Sequence, residues 1–472
     1  MGTSVSQSLD TSIFKAYDIR GVYPTQLDEQ TAYQIAHGIF EYLGEPKVVA
    51  VGRDVRLSAP AIQAAVCQAM AELGAEVLNL GVISSDVRTL VTGQGLADVA
   101  IVVTASHNPK EWIGMKISRF GGKEVGGDGE IVAIGEVVAS RYLSKQYVPR
   151  QLDYKSIEIV PIWMDHIFSL VDTAAISGLT VVADAGNGIA GPIVREFFER
   201  LNQGRSRADR CELVELYFEP DGNFPNHLPS PIEPENLVDL QSLVVSSQAD
   251  VGIAFDGDAD RVFLIDEQGQ IVSGSEMTAM LLDAMLAEDS SRVVLYNAIC
   301  GYNVWNVIEK HNATAHRTRV GHGFIKKDML TYKAYFAGEH SGHYFFQNTF
   351  NADSGLIAAA MVLELMGRTG QSLTELLAEH RKYVSIPETN FRVSDVEAAL
   401  NAIKARFSDL KMDELDGVSL YAEDYWMNIR PSQTEPLLRL NVEAKDKTTL
   451  ERVAAELTDV ITTLSQPFGT RP

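Results

Sequence analysis

The chain has 472 residues, with 63 acidic against 40 basic side chains and a net charge of −23. So acidic a surface argues against general nucleic-acid or anionic-membrane binding, and any phosphate must be met by a local basic pocket. Hydrophobic residues make up 46% and charged residues 22%, the balance of ordinary soluble proteins; the length exceeds what one core supports, so several domains are expected.

The polar amino terminus lacks a signal peptide's apolar segment, and no apolar run approaches the ~18 residues of a membrane span. Met1 to Ser6 matches the short myristoylation pattern, yet no basic cluster or nearby cysteine supplies a second anchor. Cys67, Cys211 and Cys300 are too widely spaced for a disulfide framework or a metal knuckle. They read as buried hydrophobes in a reducing compartment, and the expected location is cytoplasmic.

Residues 13 to 24 do not alternate strictly, and Gly21 and Pro24 end the run. A helix is predicted from about Asp28 to Leu43, with Ala32, Ile35, Ala36, Ile39 and Phe40 on one face. A strand is predicted over Lys47 to Val51. A second helix follows over Ser58 to Leu73, with Ser58 as cap and Pro60 in the first turn. Strands are predicted at Glu76 to Gly81 and Val99 to Val103, so a largely parallel sheet is expected. The unit recurs at Leu179 to Ala183 and at Arg292 to Tyr296, each followed by a helical pattern. Three α/β domains in series, of similar fold, are expected. The last ninety residues differ. Helical patterns at Val396 to Phe407 and Lys447 to Leu464 bracket strand-like stretches at Gly417 to Ala422, Trp426 to Arg430 and Leu437 to Glu443. They predict a small α+β domain, with Pro387 to Asn390 as linker.

Four stretches carry chemistry. Thr104-Ala105-Ser106-His107-Asn108-Pro109 presents a serine at the carboxyl end of a buried strand, where open α/β sheets place ligands. Asp256-Gly257-Asp258-Ala259-Asp260-Arg261 lies between the apolar runs Val251 to Phe255 and Val262 to Ile265. Three carboxylates in five residues repel one another unless a cation is present, and Mg²⁺ prefers such oxygen ligands. An EF-hand is rejected, because Arg261 falls where that loop needs glycine. Three aspartates leave coordination positions open, and a phosphate on Ser106 would fill one. In Gly338 to His343, the alternate residues Glu339, Ser341 and His343 project together if the segment is extended, and suit sugar hydroxyls. Arg430-Pro431-Ser432-Gln433-Thr434-Glu435-Pro436 is a donor-rich, proline-bounded turn suited to phosphate. The loop Val320 to Lys326 adds basic side chains.

Together, in this order and over nearly the whole chain, these stretches resemble the α-D-phosphohexomutase superfamily, specifically its phosphomannomutase/phosphoglucomutase branch. The resemblance implies three similar mixed α/β sheet domains and a C-terminal α+β domain around a central cleft, here at 1–153, 154–265, 266–384 and 385–472. It implies that Ser106 is the catalytic phosphoserine, and that Asp256, Asp258 and Asp260 bind Mg²⁺ together with its phosphate. His107, Lys116 and Arg261 would flank the transferred group. Tyr17 and Arg20 would line the cleft. Glu339, Ser341 and His343 would read the sugar, His343 also moving a proton. Arg430, Ser432, Gln433 and Thr434 would grip the non-reacting phosphate, and His322 and Lys326 would help read the ligand. Hexose 6-phosphate and hexose 1-phosphate would interconvert through a 1,6-bisphosphate, which also serves as activator. The expected partner is a small-molecule sugar phosphate, with the protein a monomer or weak homodimer. Three positions depart from the pattern: Ala105, Gln433, and Asn297, which stands where some members have lysine. Three rival readings are a phosphoglucosamine mutase, a Mg²⁺ phosphatase with an aspartate nucleophile, and a silent sugar-phosphate-binding protein.

Overall fold

The structure, a computed structural model, describes residues 9–127, 129–393, 395–431 and 437–464. Three of its four sheets share one plan. In the first, the central strand Val48–Arg53 runs parallel to Glu76–Val82 on one side and to Val99–Val103 on the other. Val99–Val103 then turns back as the antiparallel strand Trp112–Arg119, which also pairs with Ile19–Val22. In the second, Thr180–Asp184 lies between parallel Glu212–Leu216 and Val251–Phe255, and the latter returns antiparallel as Val262–Asp266. In the third, Val294–Asn297 lies between Ala315–Thr318 and Phe336–Gly338, which returns as Tyr344–Phe346. The expected largely parallel sheet is therefore mixed, because each sheet ends in a hairpin. The three hairpin turns are the serine loop, the aspartate loop and the Glu339 loop.

Strand alternation decides where each core sits. Val49, Val51, Ile101 and Val103 point toward the helices Glu29–Tyr42 and Ala59–Glu72, and form the first domain's own core with Ile35, Ile39, Ile62 and Val66. Ala50, Ala100 and Val102 point the other way. They join a second core that runs through Trp163 and Ile167 of the helix Ile159–Leu170 into Val181, Ala183, Val251 and Ile253 of the second sheet. The same core reaches Val294 and Phe336 of the third sheet. Strands buried on both faces read as unbroken apolar runs, as all five residues of Val99–Val103 do. This shared core locks the three hairpin turns beside one another.

Asp28 caps the first helix by accepting from Thr31 N at 2.8 Å. Ser58 holds the corresponding position of the second helix but makes no capping bond, since its own backbone is already helical. The fourth sheet is antiparallel, ordered Leu437–Ala444, Tyr425–Pro431, Val418–Tyr421, Lys411–Asp413, with the helices Val396–Arg406 and Lys447–Leu464 forming its separate core. The expected linker at 387–390 instead enters a strand, Thr389–Arg392, paired to Leu437–Ala444. Short strands also cross the expected domain limits. Lys155–Ser156 joins the first sheet, Ile271–Val272 closes the second, and Val384–Ser385 joins the fourth. Two-residue edge strands are held by main-chain hydrogen bonds and carry no hydropathy signal. Among the described residues no helix is long and apolar enough to cross a membrane.

Candidate active site

The serine and aspartate turns face each other across the first two sheets. Ser106 is 1% exposed and has φ +51, a left-handed conformation that is strained for a residue with a side chain. Its amide donates to Thr104 Oγ1 at 2.9 Å, and Thr104 Oγ1 donates to Asp258 Oδ2 at 3.1 Å. Ser106 Oγ donates to Asp256 Oδ2 at 2.7 Å and lies 3.2 Å from His107 Nδ1. Arg261 reaches Ser106 Oγ at 3.4 Å and also contacts His107. Lys116, from the returning strand of the hairpin, donates to Asp258 at 2.8 Å, to Asp260, and to Ser85 Oγ at 3.2 Å. Arg20 pairs with Asp18 at 2.7 Å and bonds Asn108 of the serine loop.

Asp256, Asp258 and Asp260 are at most 2% exposed, and their ligand oxygens lie within 4.8 Å of one another. At an effective dielectric near 20, two unit charges at that separation repel by about 3 kcal/mol. Burial first, then Asp260 and Asp258, push the Asp256 carboxyl well above its ordinary range. Asp258 and Asp260 fall below theirs in spite of burial, because Lys116 faces both. One oxygen on each, Oδ1, is buried without a hydrogen-bond partner among the described residues. Unpartnered anionic oxygens converging beside a serine hydroxyl fit a hard divalent cation of the Mg²⁺ kind. His107 is held well below its ordinary value by burial and by Arg261, and so stays neutral.

The third turn joins the same centre. Glu339, Ser341 and His343 do come together, but not by alternation along a strand. Gly338 ends the strand, and Glu339 N and Gly342 N close a tight turn on His343 O and Glu339 O. Ser341 Oγ lies 3.0 Å from His343 Nδ1 and 3.3 Å from Glu339 Oε2. His343 Nε2 lies 3.7 Å from Asp260 Oδ1, and its backbone bridges to Arg261. Glu339 is 1% exposed and accepts from Asn297 Nδ2 at 3.2 Å and Gly321 N at 3.1 Å. Asn297 thus serves as a neutral donor to the Glu339 carboxylate. Ala105 is fully buried, so its methyl is accommodated.

Tyr17 packs on His322, with ring centroids 5.2 Å apart, and burial and Glu339 push its hydroxyl up to about 12. His322 is brought down to about 4 by burial, and its ring lies 6.4 Å from that of His343. Lys326 is held at 2.8 Å by both Glu124 and Asp353. Arg430 stands apart from this cluster, 6% exposed. One of its terminal nitrogens pairs with Glu388 at 2.7 Å, and the other, Nη1, is buried without a partner among the described residues. Ser432, Gln433 and Thr434 lie outside the described residues.

Sequence reasoning missed Asp353, Glu124 and Thr104. Asp353 is buried among Lys326, His343 and Asp260, and Glu124, on the strand Lys123–Val125, joins Arg88 of the helix Val87–Gly93 to Lys326 of the helix His322–Tyr332. Their only local signal is an acid in an otherwise apolar or glycine-rich stretch. Thr104 was visible inside the serine motif, without a role.

Four family descriptions match in order. Phosphoglucomutase/phosphomannomutase alpha/beta/alpha domains I, II and III match residues 11–139, 161–269 and 273–383, and the C-terminal domain matches 388–460. A phosphomannomutase of Escherichia coli K12 is 33% identical over 435 residues, covering 92% of this chain and 94% of that protein. Phosphohexose mutases of Xanthomonas campestris pv. campestris are 34% identical over 452 residues, covering 95% and 98%. The crystal structure of a phosphoglucomutase/phosphomannomutase family protein from Burkholderia thailandensis superposes with TM-score 0.84 at 29% identity, covering 97% of this chain and 98% of that one.

Proposed function

The chain belongs to the phosphoglucomutase/phosphomannomutase family, and from that premise we propose that it interconverts hexose 6-phosphate and hexose 1-phosphate with Ser106 as phosphoryl carrier. It is an intramolecular phosphotransferase of the isomerase class. The observation that carries the residue-level reading is the 2.7 Å bond from Ser106 Oγ to Asp256, inside a buried nest of three aspartates.

In this reading Ser106 rests as its phosphate ester. The bond from Oγ to phosphorus breaks as a free sugar hydroxyl bonds to phosphorus; His343 takes the hydroxyl proton, and Oγ leaves as an alkoxide facing Arg261, the nucleophile of the return step. The product is a hexose 1,6-bisphosphate. After it turns end for end, the second phosphate returns to Ser106 and His343 gives the proton back. Asp256, Asp258, Asp260 and the Ser106 phosphate would hold Mg²⁺, which draws charge from the transferring group when bound. Lys116 and Arg261 offset the negative charge around it, while Arg20 and His107 flank the serine. Arg430, with Ser432, Gln433 and Thr434, grips the non-reacting phosphate. Glu339 and Ser341 bond the sugar hydroxyls, and Tyr17, His322 and Lys326 line the approach.

Because the named relatives are phosphomannomutases and phosphohexose mutases, mannose and glucose phosphates are the favoured substrates, with a hexose 1,6-bisphosphate as activator. The proposed state is a monomer or weak homodimer, and the proposed location is the cytoplasm. The proposed domains remain 1–153, 154–265, 266–384 and 385–472, with edge strands exchanged across those limits.

The test is turnover of mannose 1-phosphate and glucose 1-phosphate with Mg²⁺ and glucose 1,6-bisphosphate, alongside mass spectrometry of Ser106. Phosphate on Ser106 is expected. Ser106→Ala should lower turnover by about 10⁴-fold or more while sugar phosphate still binds. Near-normal turnover of that variant overturns the reading.

A further inference from the structure

Arg56 lies outside every motif assigned above, yet it is fully buried, its guanidinium enclosed beneath the serine loop. All five of its N–H donors have acceptors. Nε donates to Asp54 Oδ2 at 3.1 Å. Nη1 donates to the carbonyls of Pro109 at 2.7 Å and Trp112 at 3.0 Å. Nη2 donates to those of Ser106 at 2.7 Å and Asn108 at 2.6 Å. Asp54, 1% exposed, also accepts from Arg56 N at 2.9 Å, so the pair fixes its own rotation. From the second domain, the Phe224 ring covers the guanidinium at 5.2 Å.

A buried ion pair is poor value for stability alone, since desolvation offsets most of the attraction. What this one provides is geometry. Four carbonyls between Ser106 and Trp112 converge on one planar fork, and one belongs to the strained residue itself, Ser106 at φ +51. The other side of the Ser106 carbonyl is closed by the aspartate loop, where a Cβ added at Gly257 would lie 2.6 Å from that oxygen. The serine backbone is thus pinned between Arg56 and the turn that carries Asp256.

We propose that Arg56 is a positioning residue for phosphoryl transfer, its forked guanidinium holding Ser106 in the left-handed conformation that aims Oγ at Asp256. The role rests on the reading of Ser106 as phosphoryl carrier. It depends on the fork and not on charge alone, because a lysine ammonium offers three donors where the loop presents four carbonyls and a carboxylate.

Arg56→Lys keeps the charge and tests the fork. With glucose 1-phosphate, Mg²⁺ and glucose 1,6-bisphosphate, kcat should fall about 100-fold, the effect of misplacing a reacting group by about an ångström. KM should stay within about twofold, because the distal grip on the substrate is untouched. A kcat restored to near wild type by lysine overturns the proposal, as does a KM that rises in step with the fall in kcat. Should Arg56→Lys fail to fold, Asp54→Asn retains the guanidinium but frees its rotation. The same split, smaller in size, is then expected, and an unchanged kcat overturns the role. Wild type and Ser106→Ala run alongside separate the two readings. If Ser106→Ala turns over normally, the carrier reading falls; if it is dead while Arg56→Lys is fully active, only the role of Arg56 falls.

Discussion

The proposed transfer centre around Ser106 and the proposed phosphate grip at Arg430 differ in how they are held. Around Ser106 the loops are bonded from two sheets at once, and the supporting strands belong to a core continuous through three domains. Arg430 sits in a sheet with a core of its own, tied to the rest through Arg317 to Asp413, Val320 N to Asp416, and Glu443 to Tyr302 N. Both sides keep buried polar atoms without a hydrogen-bond partner among the described residues: Asp258 Oδ1, Asp260 Oδ1 and Arg261 Nε on the first, Arg430 Nη1 on the second. In the proposed mechanism, chemistry occurs at one point inside the shared core, while recognition that must accept a phosphate from either end of a turning sugar is carried on a separately packed unit.

Substitutions on the two sides should therefore fail in different ways. The largest effect is expected on the Ser106 side. Asp258→Asn removes an anionic oxygen from the cation nest and a partner of Lys116, and should lower kcat about 10³-fold. Steady-state rates across a Mg²⁺ titration check this, and a rate near wild type would remove the distinction. Arg430→Ala should instead raise KM about 10- to 100-fold with kcat little changed, since charge-assisted bonds to phosphate contribute about 1.5–3 kcal/mol. An unchanged KM would show that the grip lies elsewhere.

The smallest effect concerns stability. His322 is brought down to about 4 in the folded protein, against an ordinary value of 6.5, so the unfolded chain binds more protons between those pH values. Its contribution is fully present above about pH 6.5 and is lost as pH falls toward 4, by up to about 3 kcal/mol. Urea unfolding at pH 7, 5 and 4 should show a flatter decline for His322→Asn than for wild type. An identical decline would show that the acid-sensitive group is not His322.

The buried strands were legible because both their faces are apolar, and the metal nest because three acids between two such strands have no other comfortable arrangement. The fork of Arg56, the Lys116 pairing and the Glu124 bridge to Lys326 were not. Each joins segments 50, 142 and 202 residues apart, through polar side chains that local periodicity leaves unassigned. The linker at 387–390 was misjudged for a related reason: an edge strand needs backbone partners, not apolar residues.

The amino-acid sequence by itself determined the four-part layout, the three signature turns and the kinds of atom each turn offers, since these follow from short-range spacing. Only the tertiary structure decided that the three turns occupy the same hairpin of three like sheets, that Ser106 is left-handed, and which cation stands against which carboxylate. The reason is burial. Once a shared core removes water, each charge must find its partner in space, and that partner is chosen by packing between segments far apart in the chain.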